Sequence, residues 1–82
     1  PVSANKSQLG HSLGATAAIE AVLGIEAMRN RLLLPTVNLV PDPEFADLDL
    51  VAQATRSHVY ENFLSNAFGF GGTNCCIVFK GV

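Results

Sequence analysis

The chain has 82 residues, of which 49% are apolar and only 15% charged, with a net charge of −2. A small domain has proportionally more surface than a large one, so it should carry more charge than the ~25% of ordinary soluble chains, not less. The composition therefore excludes a self-sufficient small domain and points to the inner part of something larger. Lys6, Arg29, Arg31, Arg56 and Lys80 are scattered and make no basic patch, which leaves no argument for nucleic acid.

Pro1-Val2-Ser3 shows no targeting pattern, and the chain is expected to be a fragment, a processed chain or one piece of a split protein. Residues 1–9 are polar without a sustained period. From about His11 to Asn30 the sequence predicts a helix, free of Pro, dense in Ala and ending in Arg29 and Arg31 beside the negative end of its dipole. Its Gly14, Ala17, Ala18, Ala21 and Gly24 fall in two adjoining stripes, and Ile19, Val22, Leu23, Ile25 and Met28 cover the rest. A helix apolar nearly all round is normally buried, with only Glu20, Glu26 and the Arg-rich end finding water or polar partners. No uncharged run reaches the ~20 residues of a membrane span, because Glu20, Glu26, Arg29 and Arg31 interrupt the apolar stretch.

Leu34-Pro35 is expected to stop the helix. Thr36–Val40 reads as extended, Pro41-Asp42-Pro43 as a turn and Asp47–Val51 as a short edge strand or loop. His58–Phe68 and Thr73–Phe79 read as two strands joined through Gly69-Phe70-Gly71-Gly72, an antiparallel hairpin. Cys75 to Phe79 is a continuous apolar run, the pattern of a strand covered on both faces. Cys75 and Cys76 are neighbours and awkward partners for a disulfide, and no second pair offers a metal site. They read as small buried apolar residues, free thiols suited to a reducing cytoplasm.

Gly10-His11-Ser12-Leu13-Gly14 matches the G-x-S-x-G nucleophile elbow of serine hydrolases and acyltransferases, in which a buried strand delivers the Ser to a sharp turn. The residues before it, Ser3 to Gln8, are polar, so that strand is missing; Ser12 reads instead as a hydroxyl at a helix N-terminus. His11, at the same helix start, is placed to donate a hydrogen bond to a developing oxyanion, and the dipole favours its neutral form. In Asn66-Ala67-Phe68-Gly69-Phe70-Gly71-Gly72-Thr73-Asn74 the glycines permit unusual backbone angles and a close approach to a ligand, with two Phe as candidate hydrophobic gates.

Taken in order, K-S-x-x-G-H-x-x-G-A, a helix rich in Ala and Glu, P-T-x-N-L, D-L-D-L-V and N-A-F-G-F-G-G-T-N resemble the C-terminal part of the β-ketoacyl-[acyl carrier protein] synthases, decarboxylating condensing enzymes of the thiolase superfamily. The resemblance covers essentially the whole chain. It implies an α/β fold that is part of a thiolase-like layered αβαβα domain: a buried helix and an antiparallel hairpin, with residues 1–82 not an independent domain and the remainder completed by another segment or chain. It implies decarboxylative condensation of a malonyl thioester with an acyl thioester, in fatty acid or polyketide synthesis, on substrates carried by the phosphopantetheine of an acyl carrier protein, with no further cofactor and no metal. His11 resembles the second active-site His, Lys6 the lysine that orders the histidines, and Phe70 the residue whose backbone N–H completes the oxyanion hole. Phe68, Gly69, Phe70, Gly71, Gly72, Thr73 and Asn74 resemble the substrate-binding, gating segment.

The family's nucleophilic Cys and first His are absent here. The chain alone is therefore expected to be inert, with an N-terminal segment or partner chain supplying them in a dimer of ketosynthase-type subunits. Two alternatives stand beside this reading: a segment of a non-catalytic chain-length-factor partner, or a serine hydrolase or acyltransferase using Ser12.

Overall fold

Within the polar opening stretch, residues 6–9 close one helical turn, α1 (Lys6–Leu9), in which Gly10 N–H donates to Lys6 O at 2.8 Å. Gly10 then takes φ +75, which glycine adopts without strain, and directs the chain out of α1. The computed structural model describes all residues from 1 to 82. Its long helix starts later than the sequence predicts: α2 is Thr16–Arg29, and residues 13–15 form a 3₁₀ turn. The cause is Leu13, whose φ of +50 is incompatible with a right-handed helix and cuts the Ala-rich pattern.

Helix α2 ends near Asn30, as expected, but Pro35 is not what stops it. Arg31 takes the left-handed φ of +59 just past the end, and the Asn30 side-chain amide donates back to Glu26 O at 2.8 Å. Leu32–Leu33 (β1) then pairs antiparallel with Arg56–Ser57 (β2), Leu33 opposite Arg56. Tyr60 secures this corner by donating its hydroxyl to Leu32 O at 2.8 Å, and burial pushes its phenol pKa up.

Between these strands, the stretch expected to be extended is a turn at Val37 and Asn38, the latter at φ +66. Asp42 starts a 3₁₀ turn over Pro43–Phe45, its carboxylate accepting Glu44 N–H at 2.9 Å. Residues 47–51 are loop rather than strand, although Leu50 bridges Val2 and Val51 N–H donates to Val2 O at 2.9 Å. The Arg56 guanidinium grips both carboxylate oxygens of Asp49 at 2.9 and 2.8 Å.

The hairpin forms with shorter strands than predicted, β3 (Asn62–Phe68) and β4 (Asn74–Lys80). Asn62 lies opposite Lys80 and Phe68 opposite Asn74, and Gly69 N–H closes the loop on Thr73 O at 2.6 Å. Phe63 and Phe79, directly opposite, stack at 4.7 Å between ring centroids.

Helix and hairpin meet where Phe63 lies against Gly24: a Cβ at position 24 would overlap the phenyl ring. Ala27, one turn on, is buried. Thr16, Glu20, Gly24 and Ala27 recur at helical spacing and share one stripe of α2.

Only four of 82 residues are buried, and the chain exposes 6100 Å², against about 4,700 Å² for a globular protein of this mass. Part of α2, expected to be covered, is open, with Val22 60% exposed, while Leu23, Ile25 and Met28 are half-buried. Cys75 and Cys76, expected to be buried, are free and exposed, because β4 has no layer over either face. Apolarity on all sides thus persists without the contacts it is suited to.

Gly24→Val is expected to destabilise the complete protein by ~1–3 kcal/mol through overpacking on Phe63. Thermal unfolding should show a Gly24→Val, Phe63→Ala double variant losing less than the sum of its single variants. Asp49 is held below its ordinary pKa of 3.8, first by the hydrogen bonds from Arg56. Because the folded pKa lies below the unfolded one, this fastening is complete above the ordinary value and is lost as pH falls through the folded one. The protection factor of the Val51 amide against hydrogen exchange should fall on that acid limb, and Asp49→Asn should remove that fall.

Candidate active site

Lys6 and His11 emerge from the short chain on either side of Gly10, and both are held by α2. Lys6 Nζ donates to Glu20 Oε1 at 2.9 Å, with the Glu20 side chain only 16% exposed. His11 belongs to no regular element. Its Nδ1 accepts Leu13 N–H at 2.9 Å and lies 3.2 Å from Thr16 Oγ1.

The tautomer follows from these partners. A backbone amide can only donate, so Nδ1 presents its lone pair and the neutral ring carries its proton on Nε2. Nε2 makes no hydrogen bond within the chain, and the imidazole is exposed. His11 is therefore a neutral donor with a free N–H. Leu13 accepts a left-handed backbone in the same turn, a conformation that costs a bulky residue ~1–2 kcal/mol.

A groove of about 650 Å³ runs from Lys6 and Glu20 past Gly24 to the hairpin. Residues 62–66 and 68 line it. Successive strand residues point to opposite faces, so a groove touching both sets follows the free edge of β3, where backbone groups have no partner. Lys6 and Phe68 share this groove; His11 and Phe70 do not line it. Asn5, in its wall, has a buried Oδ1 with no hydrogen-bond partner.

The glycine-rich segment forms the hairpin tip. Gly71 and Gly72 take φ +84 and +87, Gly69 packs against Thr73, and Asn74 opens β4. The Phe70 ring is fully exposed and Phe68 is 76% exposed. The tip thus lacks a packed wall on its outer side.

Ser12 has none of the surroundings of a nucleophile. Helix α1 precedes it where an elbow needs a strand, its hydroxyl neither caps a helix nor bonds a base, and Nδ1 of the adjacent His11 is already engaged. Asp47 or Asp49 with His58 follow Ser12 in the chain order of a triad, but Asp49 pairs with Arg56 and His58 stacks on Tyr60. No group of three or more His, Cys, Asp or Glu is placed to hold a metal ion, and no helix is long and apolar enough to cross a membrane.

Sequence reasoning missed three members of this site. Glu20 read only as a charge needing some polar partner, and Thr16 and the Leu13 amide were not singled out at all. The Thr16–Glu20 spacing of four was the available signal, since it places both on one face at the helix start.

Residues 1–40 match the family model described as Beta-ketoacyl synthase, C-terminal domain. The chain is 49% identical over 79 residues to 3-oxoacyl-[acyl-carrier-protein] synthase 2 of Mycobacterium bovis, covering 95% of this chain and 19% of that protein. It is 43% identical over 81 residues to the enzyme of the same name from Coxiella burnetii, covering 99% of this chain and 20% of that one. Its fold matches, with a TM-score of 0.90 and 34% identity, a solved structure described as AntDE:AntF (apo), a type II PKS acyl-carrier protein in complex with its ketosynthase bound to the hexaketide. That match covers 100% of this chain and 20% of the other. The chain thus spans about one fifth of the length of the relatives it matches, and its helix and hairpin are a partial thiolase-like α/β arrangement. On family match, sequence identity and fold together, the chain is similar along its length to the C-terminal region of the β-ketoacyl synthases.

Proposed function

We propose that this chain forms part of a condensing enzyme that joins malonyl-[acyl carrier protein] to an acyl thioester in fatty acid or polyketide synthesis. The observation that carries the reading is the free Nε2–H of His11, fixed by the Leu13 amide at Nδ1. In such a reaction the malonyl C–C bond breaks, CO₂ leaves, and the electron pair spreads onto the thioester oxygen as an enolate. The carbanion then attacks the acyl carbonyl and the Cys thiolate departs. A neutral N–H donor beside the enolate oxygen stabilises charge that exists only as the bond breaks.

In this reading Lys6, anchored by Glu20, sets the positive field around the site and orders the histidines. The Phe70 N–H supplies a donor for the tetrahedral oxyanion. Phe68, Phe70 and the glycines between and after them, with Thr73 and Asn74, form the wall and gate of the acyl pocket. Positive φ at Gly71 and Gly72 supports a backbone aimed at a ligand.

The nucleophilic Cys and the first His come from another segment or chain, and the 82 residues alone are inert. Three features support this division: the excess surface, the open edge of β3, and the unpartnered Asn5 Oδ1 in the groove wall. The excess of about 1,400 Å² is what one or two standard interfaces bury per partner. Substrates arrive on the phosphopantetheine of an acyl carrier protein, with no other cofactor, in a cytoplasmic dimer of ketosynthase-type subunits. A non-catalytic chain-length partner would have no use for an anchored Lys6 beside a poised His11.

In the complete synthase, His11→Ala is expected to abolish release of CO₂ from malonyl thioester while the acylated Cys still forms, as read by intact mass. Undiminished CO₂ release would remove His11 from the reaction. Losing one such donor typically costs ~2.7–4 kcal/mol, or about 10²–10³ in rate. A fluorophosphonate probe is expected to leave Ser12 unlabelled; labelling there would restore the hydrolase reading.

A further inference from the structure

Thr16 is the one buried residue of the chain whose side chain is polar, only 8% exposed at the first position of α2. A hydroxyl taken out of water needs a partner, and this one has a single partner, Nδ1 of His11 at 3.2 Å. Because Leu13 N–H already donates to that nitrogen, the atom is an acceptor, and the Thr16 hydroxyl can engage it only by donating. Nδ1 therefore receives two donors that do not belong to equally firm parts of the chain. Leu13 sits in a strained turn two residues from His11, whereas Thr16 is built into the helix that also holds Lys6 through Glu20.

The roles are complementary. The Leu13 amide favours the tautomer but moves with the same loop as the ring. Thr16 ties the ring to a fixed frame, and a ring that turned about its own axis would leave the buried hydroxyl unpaired. Val would fill the space and offer no donor; Ser would offer the donor with less bulk. Hydroxyl and methyl are thus separable at this position.

We infer that Thr16 is a positioning residue for the reaction: its buried hydroxyl donates to His11 Nδ1, fixing the imidazole plane in the tautomer that the Leu13 amide sets. The inference rests on the reading of His11 as the donor to the enolate oxygen and deepens it by naming what aims that donor. Thr16 itself touches no reacting atom.

The test uses the complete synthase with Thr16→Val, Thr16→Ser and His11→Ala, following CO₂ release from malonyl thioester, acylation of the Cys, and ¹⁵N shifts of labelled histidine. Thr16→Val should lower kcat for CO₂ release about ten-fold, leave KM within about two-fold, and spare acylation. Its His11 Nδ1 resonance should shift as that nitrogen loses one of its donors while the Nε2–H pattern persists, and Thr16→Ser should return both readouts toward wild type. Wild-type rate and shifts in Thr16→Val would overturn the assignment. So would a slow Thr16→Val that Thr16→Ser does not rescue, since shape and not the hydroxyl would then matter. If Thr16→Val also loses acylation through poor packing, Thr16→Ser decides alone: recovery upholds the role, and no recovery refutes it. If His11→Ala keeps full CO₂ release, the reading of His11 fails, and the ¹⁵N shifts of Thr16→Val still decide whether Thr16 holds the ring.

Discussion

The contact between Gly24 and the Phe63 ring sets the geometry of everything else. No side chain at position 24 fits beside the ring, so the α2 backbone lies directly against Phe63. The ring is in turn fixed by its stacking on Phe79, which ties the approach to both strands. From that fixed point the same stripe of α2 runs back through Glu20 to Thr16, and those residues hold Lys6 and His11. The hairpin carries Phe68 and the glycine-rich tip away in the other direction. Packing at one glycine therefore determines how the two functional ends are disposed, and chemistry and architecture share one helix face.

The larger elements were legible in the amino-acid order because they obey local rules. The Ala-rich segment marked α2 and its end at Asn30, and two strand-like runs joined through Gly69–Gly72 marked the hairpin. What was not legible depended on left-handed backbone at ordinary residues. Leu13, Arg31 and Asn38 all adopt positive φ: Leu13 delays the start of α2, Asn38 replaces an extended stretch after Thr36 with a turn, and Arg31 rather than Pro35 ends α2 at the expected place. No propensity marks a leucine for that conformation. Tertiary context imposes it, here with the Leu13 amide engaged by His11.

The site was legible in part and for a different reason. His11, Lys6 and the glycine-rich segment stood out through their order along the chain and its resemblance to a family. Their partners did not, because Glu20 and Thr16 are unremarkable letters in a helix until the fold turns them toward α1. Burial was misjudged at Cys75 and Cys76, since an apolar run reports the environment a strand is suited to and not the one these 82 residues supply. The same apolar surface accounts for the exposed sides of α2 and for a sheet edge with unpaired backbone groups beside the groove.

Thr16 and Glu20 stand one turn apart on a rigid rod, about 6 Å along its axis. The anchors of imidazole and ammonium are thus ruled off by the pitch of a helix rather than by the length of a loop. Such a gauge is insensitive to exchanges of side chain on the helix's outer surface. It is intolerant of indels: one extra residue between the two anchors would swing the second through roughly 100° and leave the lysine facing nothing. Drift in this part of the molecule is therefore free to change letters but not to change their count.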